Sequence, residues 1–210
     1  MNTLQDIQKK RLIAIIRGFD AEESVQIANA LARGGIKLIE VTMNSKKPLQ
    51  AIEMIKENLG EQLTVGAGTV LDPETAQAAI LAGAQFILSP TLNIETIKMT
   101  KRYGVVSMPA AMTPTEILTA FEAGGDIIKV FPSSSLGPSY IKDLLGPMPH
   151  LKLLPTGGVN LNNVNEYISA GAVGVGIGGS LVHNTNEVNH TYLQEIEKKA
   201  SRYVSLLNNS

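Results

Sequence analysis

Glycine recurs along this chain at nearly regular distances, each time just after a stretch with helical character. The glycines stand at positions 34, 60, 83, 104, 124, 146 and 171, separated by 26, 23, 21, 20, 22 and 25 residues. Each suits the left-handed residue that ends a helix, because glycine adopts a positive φ without a steric penalty. The spacing is that of a repeated unit of one strand and one helix, and it restricts the chain to folds built from such units.

Short apolar runs follow most of these glycines and indicate buried strands. These seven runs are "LIEVTM", "LTVGAGTV", "FILSP", "VVSMP", "IIKVFP", "LKLLP" and "VGVGIGG". With "LIAIIR" near the start of the chain, the number of predicted strands is eight. Helix starts are marked by the capping residues Asp20, Asp72, Asn93, Thr113 and Asn160. Strands that are continuously apolar and joined by helices are typical of parallel sheets.

We therefore predict an α/β protein with a single domain over residues 1–210, folded as a (β/α)8 TIM barrel. The first ten residues are expected to form an extra helix before the first strand, and the helix after the sixth strand, in "SSLGPSYIKDLLG", is expected to be short. The competing architecture is a doubly wound open sheet, which would carry a glycine fingerprint after its first strand. "IIRGFDAEE" stands there instead, which favours the barrel.

Composition narrows the classes of function. The 18 basic and 19 acidic residues give a net charge of −1 without a long block of one sign, so no nucleic-acid partner is predicted. The absence of cysteine excludes disulfides and thiolate chemistry. His150, His183 and His190 are not spaced as a metal cluster, and no metal site is predicted. The chain lacks a signal-peptide pattern and a run of about 18 apolar residues, so we expect a cytoplasmic protein without a membrane segment.

Polar side chains stand at the carboxyl ends of several predicted strands, where the active site of a TIM barrel lies. They are Arg17, Glu40, Thr42, Thr69, Ser89, Lys129, Thr156 and Ser180. Taken singly, a serine or threonine there can cap the next helix, and Arg17 can pair with a surface carboxylate. As a set, they predict a polar site at one end of the barrel.

Lys129 and Glu40 are charged residues within apolar strands, in "DIIKVFP" and "LIEVTM". Charged side chains are seldom buried unless they are paired or functional. A mutual salt bridge is the structural alternative, although such a pair adds little net stability compared with apolar residues. Burial can also lower the pKa of a lysine until its free amine attacks a carbonyl and forms a Schiff base. We therefore predict Lys129 as the nucleophile and Glu40 as the group that transfers protons.

Paired glycines follow the seventh and eighth predicted strands, in "PTGGVN" and "GIGGS". The loops after these strands form the phosphate site of many TIM barrels, and glycine lets backbone N–H groups approach an anion closely. Tight turns are the structural alternative, but two glycine pairs on these two loops favour phosphate binding. "VGAGTV" at 65–70 lacks the lysine of a nucleotide-binding P-loop, and its glycines are expected to leave space for a ligand.

The motifs of this chain, in their order along the sequence, resemble those of the bacterial 2-keto-3-deoxy-6-phosphogluconate and 4-hydroxy-2-oxoglutarate aldolase family over nearly the whole chain. The resemblance is carried by "EVT" at 40–42, "VGAGTV", "AGAQFILSP", "TPTE", "KVFPSS", "PTGGV" and "GGS". It implies a metal-independent, cofactor-free Schiff-base aldolase and a homotrimer, with Lys129 forming the imine and Glu40 as general acid and base. The implied substrate is a phosphorylated keto acid, cleaved to pyruvate and glyceraldehyde 3-phosphate. The implied substrate contacts are Arg17, Thr69, Pro90, Phe131, Gly157, Gly158, Gly179 and Ser180, with the glycines and Ser180 near the phosphate.

Three departures from the family pattern leave the substrate open. Asn44 stands where phosphogluconate-type members often carry an arginine, Ala110 where glycine is usual, and Thr91 where glycine is frequent. "NS" at 44–45 and "FPSSSLGPSYIK" look more like the sister 2-keto-3-deoxy-6-phosphogalactonate aldolases. The sugar epimer and the choice of 4-hydroxy-2-oxoglutarate stay open.

Two other functions are compatible with the same barrel, because a fold does not specify its chemistry. One is a phosphosugar isomerase or epimerase, which needs no imine. The other is a non-catalytic paralogue that binds a phosphosugar, against which the presence of both Lys129 and Glu40 argues.

Overall fold

Helices and strands alternate along the chain in the computed structural model, which describes residues 3–185 and 187–208. The helices are α1 (Thr3–Lys10), α2 (Ala21–Arg33), α3 (Pro48–Leu59), α4 (Pro73–Leu81), α5 (Ile94–Arg102), α6 (Pro114–Glu122), α7 (Gly137–Leu145), α8 (Val164–Ser169) and α9 (His190–Asn208). The strands are β1 (Leu12–Ile16), β2 (Leu38–Thr42), β3 (Thr64–Gly68), β4 (Phe86–Leu88), β5 (Val106–Met108), β6 (Ala110–Ala111), β7 (Ile128–Val130), β8 (Leu153–Pro155) and β9 (Val175–Ile177). The predicted extra helix is confirmed as α1; residues 1 and 2 of that prediction lie outside the described residues.

The predicted capping residues begin four helices. The side chains of Asp20, Asp72, Asn93 and Thr113 each accept a hydrogen bond from the backbone N–H three residues later. The fifth prediction is wrong, because α8 begins at Val164 and not directly after Asn160. The intervening residues form a turn in which the Asn160 N–H donates to the Asn163 side chain.

The repeating glycines serve two different purposes. Those at 83, 104, 124 and 171 have the left-handed backbone that was predicted. Gly34, Gly60 and Gly146 have right-handed φ values of −72°, −62° and −55°, so the prediction is wrong there. At Gly34 the reason for glycine is close approach, because a methyl group would overlap Ala200 of α9.

The helix after the sixth predicted strand is not short. Helix α7 has nine residues, as do α4, α5 and α6. Its buried Ile141 and Leu144 give it an apolar face against the rest of the protein, which explains a helix of ordinary length.

The strands described here pair in parallel throughout. One sheet has the order β5-β4-β3-β2-β1-β9, and a second has the order β6-β7-β8. A bridge between Thr156, just after β8, and Gly176, in the middle of β9, connects these two strands, and only Pro109 separates β5 from β6. The predicted α/β class with parallel strands is confirmed. The fifth predicted strand, "VVSMP", ends at Pro109 and corresponds to β5, and the short strand β6 that follows it was not predicted.

Helix α1 packs against the strands near the end where they begin. Its Ile7 has no exposed surface and belongs to a cluster of buried apolar side chains with Ile13, Phe86 and Leu154. Residues of α1 share a groove with Lys37 to Leu38 and with Leu63 to Thr64, at the starts of β2 and β3. Helix α1 therefore does not cover the carboxyl ends of the strands, where a functional site can form. No helix in the described part of the chain is long and apolar enough to cross a membrane.

Candidate active site

Lys129 and Glu40 lie in the middle of β7 and β2, on strands that belong to different sheets. Glu40 has no exposed surface and Lys129 is 3% exposed. The Lys129 Nζ lies 5.0 Å from the centre of the aromatic ring of Phe131, the residue two positions further along the chain. Two ionisable groups are therefore held by neighbouring parts of the fold in a buried environment.

Lys129 and Glu40 do not form the salt bridge that would have explained their burial by structure alone. Neither carboxylate oxygen of Glu40 has a hydrogen-bond partner, although both are buried. The ion pairs within the described part of the chain join other residues. A buried carboxyl group without partners is costly when ionised, so its position needs an explanation other than stability.

Burial dominates the ionisation of both groups. It raises the pKa of the Glu40 carboxyl above its ordinary value, with Lys129 and Arg17 acting in the opposite direction. It lowers the pKa of the Lys129 amine, opposed by the charge of Glu40 and reinforced by Arg17. Both shifts favour the neutral pair. A free amine beside a protonated carboxyl is a nucleophile beside a proton donor.

Arg17 follows β1 and is held by two neighbours in the loops after β2 and β3. Its Nη1 donates to Asn44 Oδ1 at 3.2 Å, and its Nη2 donates to Thr69 Oγ1 at 3.4 Å. Thr69 has a φ of 57°, which is rare and unfavourable for a β-branched residue. A strained threonine next to a fixed guanidinium is typical of a binding site, and the pair provides a cation and a hydroxyl for a carboxylate.

The structure adds a role for Asn44 that the sequence did not indicate. In the sequence, Asn44 indicates the loss of a possible arginine and a likeness to the galactonate-type aldolases, whereas in the structure it provides an acceptor for Arg17 from 27 residues away. Its neighbour Ser45 accepts a hydrogen bond from the Gly18 N–H at 2.9 Å. The loop after β2 therefore holds the loop after β1 at two points.

The two glycine loops lie side by side at the same cavity. Gly157 and Gly158 have φ values of 87° and 81°, which other residues adopt only with strain. The Ser180 hydroxyl donates to the Val159 carbonyl at 2.8 Å and so joins the two loops. Among the described residues, the N–H groups of Gly157, Gly158, Gly179 and Ser180 have no hydrogen-bond partner. Free N–H groups on glycine loops provide donors for an anion.

One cavity of about 400 Å³ brings most of the predicted site residues together. Its lining includes Arg17, Lys129, Phe131, Gly157, Gly158, Gly179 and Ser180. Glu40, Thr69 and Pro90 are not part of the lining; Glu40 is fully buried, Thr69 contacts Arg17, and Pro90 is a half-buried residue after β4. Sequence reasoning missed Ile15, Val159 and Asn160, which also line the cavity, because apolar and amide side chains carry no local signal of function.

The glycines of "VGAGTV" do not leave space for a ligand, and that prediction is wrong. A methyl group at Gly66 would overlap the Phe86 ring, and one at Gly68 would overlap the Glu40 carboxylate. The space beside each glycine is thus filled by a side chain of the protein itself. Within the described residues, no group of three or more histidine and acidic side chains is arranged to hold a metal ion.

Comparison with known proteins places this geometry among aldolases. A family model for KDPG and KHG aldolases matches residues 4–199. A 2-dehydro-3-deoxy-6-phosphogalactonate aldolase from Escherichia coli (strain K12) is 37% identical over 187 residues, which are 89% of this chain and 91% of that protein. A 2-dehydro-3-deoxy-phosphogluconate aldolase from Treponema pallidum (strain Nichols) is also 37% identical, over 164 residues and 78% of each chain.

A solved structure extends the similarity to the whole fold. It is the KDPG aldolase from Legionella pneumophila with pyruvate captured at low pH as a covalent carbinolamine intermediate. The TM-score is 0.87 at 26% identity, and the match covers 96% of this chain and 97% of that one.

Proposed function

Since the chain belongs to the KDPG and KHG aldolase family and is a lyase, we propose that it cleaves a 2-keto-3-deoxy-6-phospho sugar acid of the gluconate or galactonate type. The products are pyruvate and glyceraldehyde 3-phosphate. The observation that carries the proposal is the buried pair of Lys129 and Glu40, whose environment favours a free amine and a protonated carboxyl. A 2-keto group is the electrophile that such an amine attacks.

The reaction begins with a covalent bond to Lys129. The amine attacks the C2 carbonyl and forms a carbinolamine. Glu40 protonates the departing hydroxyl, water leaves, and an iminium joins C2 to Lys129. The positive nitrogen can now accept the electron pair of a bond one carbon away.

Carbon–carbon cleavage follows from that electron sink. Glu40, now a carboxylate, accepts the proton of the C4 hydroxyl, and the oxygen electrons form the aldehyde carbonyl as the C3–C4 bond breaks. The released electron pair forms an enamine on the Lys129 side. Glu40 returns the proton to C3, and hydrolysis of the resulting imine releases pyruvate and the free amine.

Binding groups around the cavity match the two charged ends of this substrate. We propose that Arg17 and Thr69 hold the carboxylate, and that Gly157, Gly158, Gly179 and Ser180 hold the phosphate. Phe131 and Pro90 would contact the carbon chain between them. The free N–H groups of the glycine loops support the phosphate assignment. Binding of the remote phosphate fixes the reacting carbons against Lys129.

We further propose that the two sheets form one closed eight-stranded barrel in a single domain over residues 1–210. In this barrel β5 and β6 count as one strand. Three contacts support closure: the bridge of Thr156 with Gly176, a hydrogen bond from the Asp126 N–H to the Ser107 carbonyl, and one from the Lys129 N–H to the Pro109 carbonyl, both at 2.9 Å.

A homotrimer is proposed from the family resemblance. Several large apolar side chains on the outer surface support self-association. They are Leu71, Leu81, Ile94, Tyr103, Met112, Leu118 and Phe121. We also propose a cytoplasmic location, where a phosphorylated sugar acid is retained because its charges do not cross a bilayer. Light scattering during size-exclusion chromatography tests the assembly, and a monomeric mass would contradict it.

Trapping with borohydride tests the chemistry. Incubation of the protein with pyruvate and sodium borohydride should give a reduced adduct on Lys129, identified by mass spectrometry of peptides. Lys129→Arg should give no adduct and no cleavage, because a guanidinium stays protonated and cannot form an imine. A folded wild-type protein without an adduct would rule out the Schiff-base mechanism. Activity on the gluconate, galactonate and 4-hydroxy-2-oxoglutarate substrates then determines the preference.

A further inference from the structure

The glycine turn at 157–158 is held by the following turn, 160–163, two of whose three asparagines bond to it. Asn163 Nδ2 donates to the Gly158 carbonyl at 3.0 Å, and Asn160 Nδ2 donates to the same carbonyl at 3.1 Å. Asn163 also accepts a hydrogen bond, since its Oδ1 receives the Asn160 N–H at 2.8 Å. The Asn163 side chain thus closes the turn 160–163 with one hydrogen bond and joins that turn to the glycine loop with the other.

Anchoring this carbonyl determines the direction of a neighbouring N–H group. The Gly158 carbonyl and the Val159 N–H belong to one planar peptide unit and point in opposite directions. Val159 lines the cavity, and in the described chain its N–H has no hydrogen-bond partner. Two amide donors to the carbonyl oxygen therefore also fix the direction of that N–H at the cavity.

The glycine loop is also a segment that needs such support. Its two consecutive left-handed residues have the most freedom of any residue type to change φ and ψ. Packing restrains the turn on the side of Ser134, since a methyl group at Gly158 would lie 2.6 Å from the Ser134 Cβ. Without side-chain anchors, the peptide could rotate and turn a carbonyl oxygen toward a bound anion.

We propose that Asn163 is a positioning residue for phosphate recognition. It holds the peptide between Gly158 and Val159 so that the loop presents N–H groups, and not a carbonyl, to the phosphate of the substrate. Asn163 itself does not touch the phosphate. This inference rests on the proposed function for the identity of the substrate, whereas the anion site itself can be tested without catalysis.

Asn163→Ala is the variant that tests the role, and Asn162→Ala is its matched control. Asn162 is the adjacent asparagine of the same turn, it is exposed, and its side chain forms no hydrogen bond among the described residues. Asn163→Asp is the second variant. It keeps the acceptor for the Asn160 N–H and so the turn, but it replaces the donor to the Gly158 carbonyl with a repelling oxygen.

The first readout is the binding of inorganic phosphate, which is monitored through the amide resonances of Gly157 and Gly158. The dissociation constant should rise about tenfold in Asn163→Ala and in Asn163→Asp, as expected for the loss of one or two hydrogen bonds. Asn162→Ala should match the wild type. Equal affinity in the wild type and in both Asn163 variants would overturn the proposal.

Kinetics give the second readout and separate positioning from general damage. The KM for the phosphorylated substrate should rise about tenfold in Asn163→Ala, while the rate of borohydride trapping of pyruvate on Lys129 stays within about twofold. Loss of trapping in parallel with phosphate binding would also overturn the proposal, because it would mean that the variant merely disorders the site. Failure of the proposed function looks different: the wild type would bind phosphate but form no pyruvate adduct.

Discussion

The Cα of Gly68 on β3 lies directly against the carboxylate of Glu40 on β2, so that a methyl group at position 68 would overlap Oε1. The two residues are on paired strands, with Gly68 beside Thr42 and Glu40 beside Gly66. The absence of a side chain at Gly68 is what creates room for a buried carboxyl group without hydrogen-bond partners.

Gly68→Ala should displace the carboxylate and lower kcat/KM for cleavage by at least about tenfold, because proton transfer depends on the position of Glu40. Overpacking should also lower the free energy of unfolding by roughly 1–3 kcal/mol. Gly146→Ala is the control, since its new methyl group would meet no atom closer than 3.5 Å. Steady-state kinetics and urea denaturation provide the measurements. Full activity in Gly68→Ala would show that the Glu40 position is not critical.

The pH dependence of imine formation should shift in opposite directions in two variants. The amine of Lys129 is reactive when deprotonated, so the trapping rate should rise as the pH passes the lowered pKa of Lys129. The charge of Glu40 raises that pKa and the charge of Arg17 lowers it. Glu40→Gln should therefore move the rising limb to lower pH, and Arg17→Gln should move it to higher pH.

The measurement is the rate of borohydride trapping of pyruvate across a pH series, with Lys129→Arg as the blank. Shifts of the same sign in Glu40→Gln and Arg17→Gln would contradict the electrostatic explanation. Glu40→Gln should also slow trapping at its optimum, because the amide cannot protonate the departing hydroxyl of the carbinolamine.

Asn44→Ala should release Arg17 from one of its two hydrogen-bond partners, leaving Thr69. We expect the KM for the keto acid to rise by about threefold to tenfold with little change in kcat, since Arg17 is proposed to bind the carboxylate in both ground and transition states. Asn58→Ala, at an exposed asparagine of α3, serves as control. A decrease in kcat with unchanged KM would argue that Arg17 acts in the chemical step.

Ile7→Ala should destabilise the protein without changing its chemistry. Ile7 is fully buried among apolar side chains, and its truncation should lower the free energy of unfolding by about 2–5 kcal/mol. The change lies near the start of the strands, so KM and kcat should stay within about twofold under stabilising conditions. Gln5→Ala, at an exposed position of α1, should change stability by less than about 0.5 kcal/mol. Equal stability of the two variants would mean that the packing of α1 against the starts of the strands does not stabilise the protein.

The sequence alone determined the order of helices and strands and the types of residue at the site. Glycine spacing, capping residues and apolar runs are properties of neighbours along the chain, and they predicted the α/β class, four helix starts and α1. A charged residue within an apolar strand singled out Lys129 and Glu40, because burial of a charge is costly wherever the strand packs.

Only the tertiary structure decided how these residues act on one another. The unpartnered carboxylate of Glu40, the space beside Gly68, the contact of Asn44 with Arg17 and the support of Gly158 by Asn163 all depend on distances between segments. The salt bridge that the sequence left open as an alternative is not formed, and the ligand space predicted beside the "VGAGTV" glycines is wrong. Electrostatic and steric interactions act through space, so their sign and strength are set when the strands pack, and not by residue type.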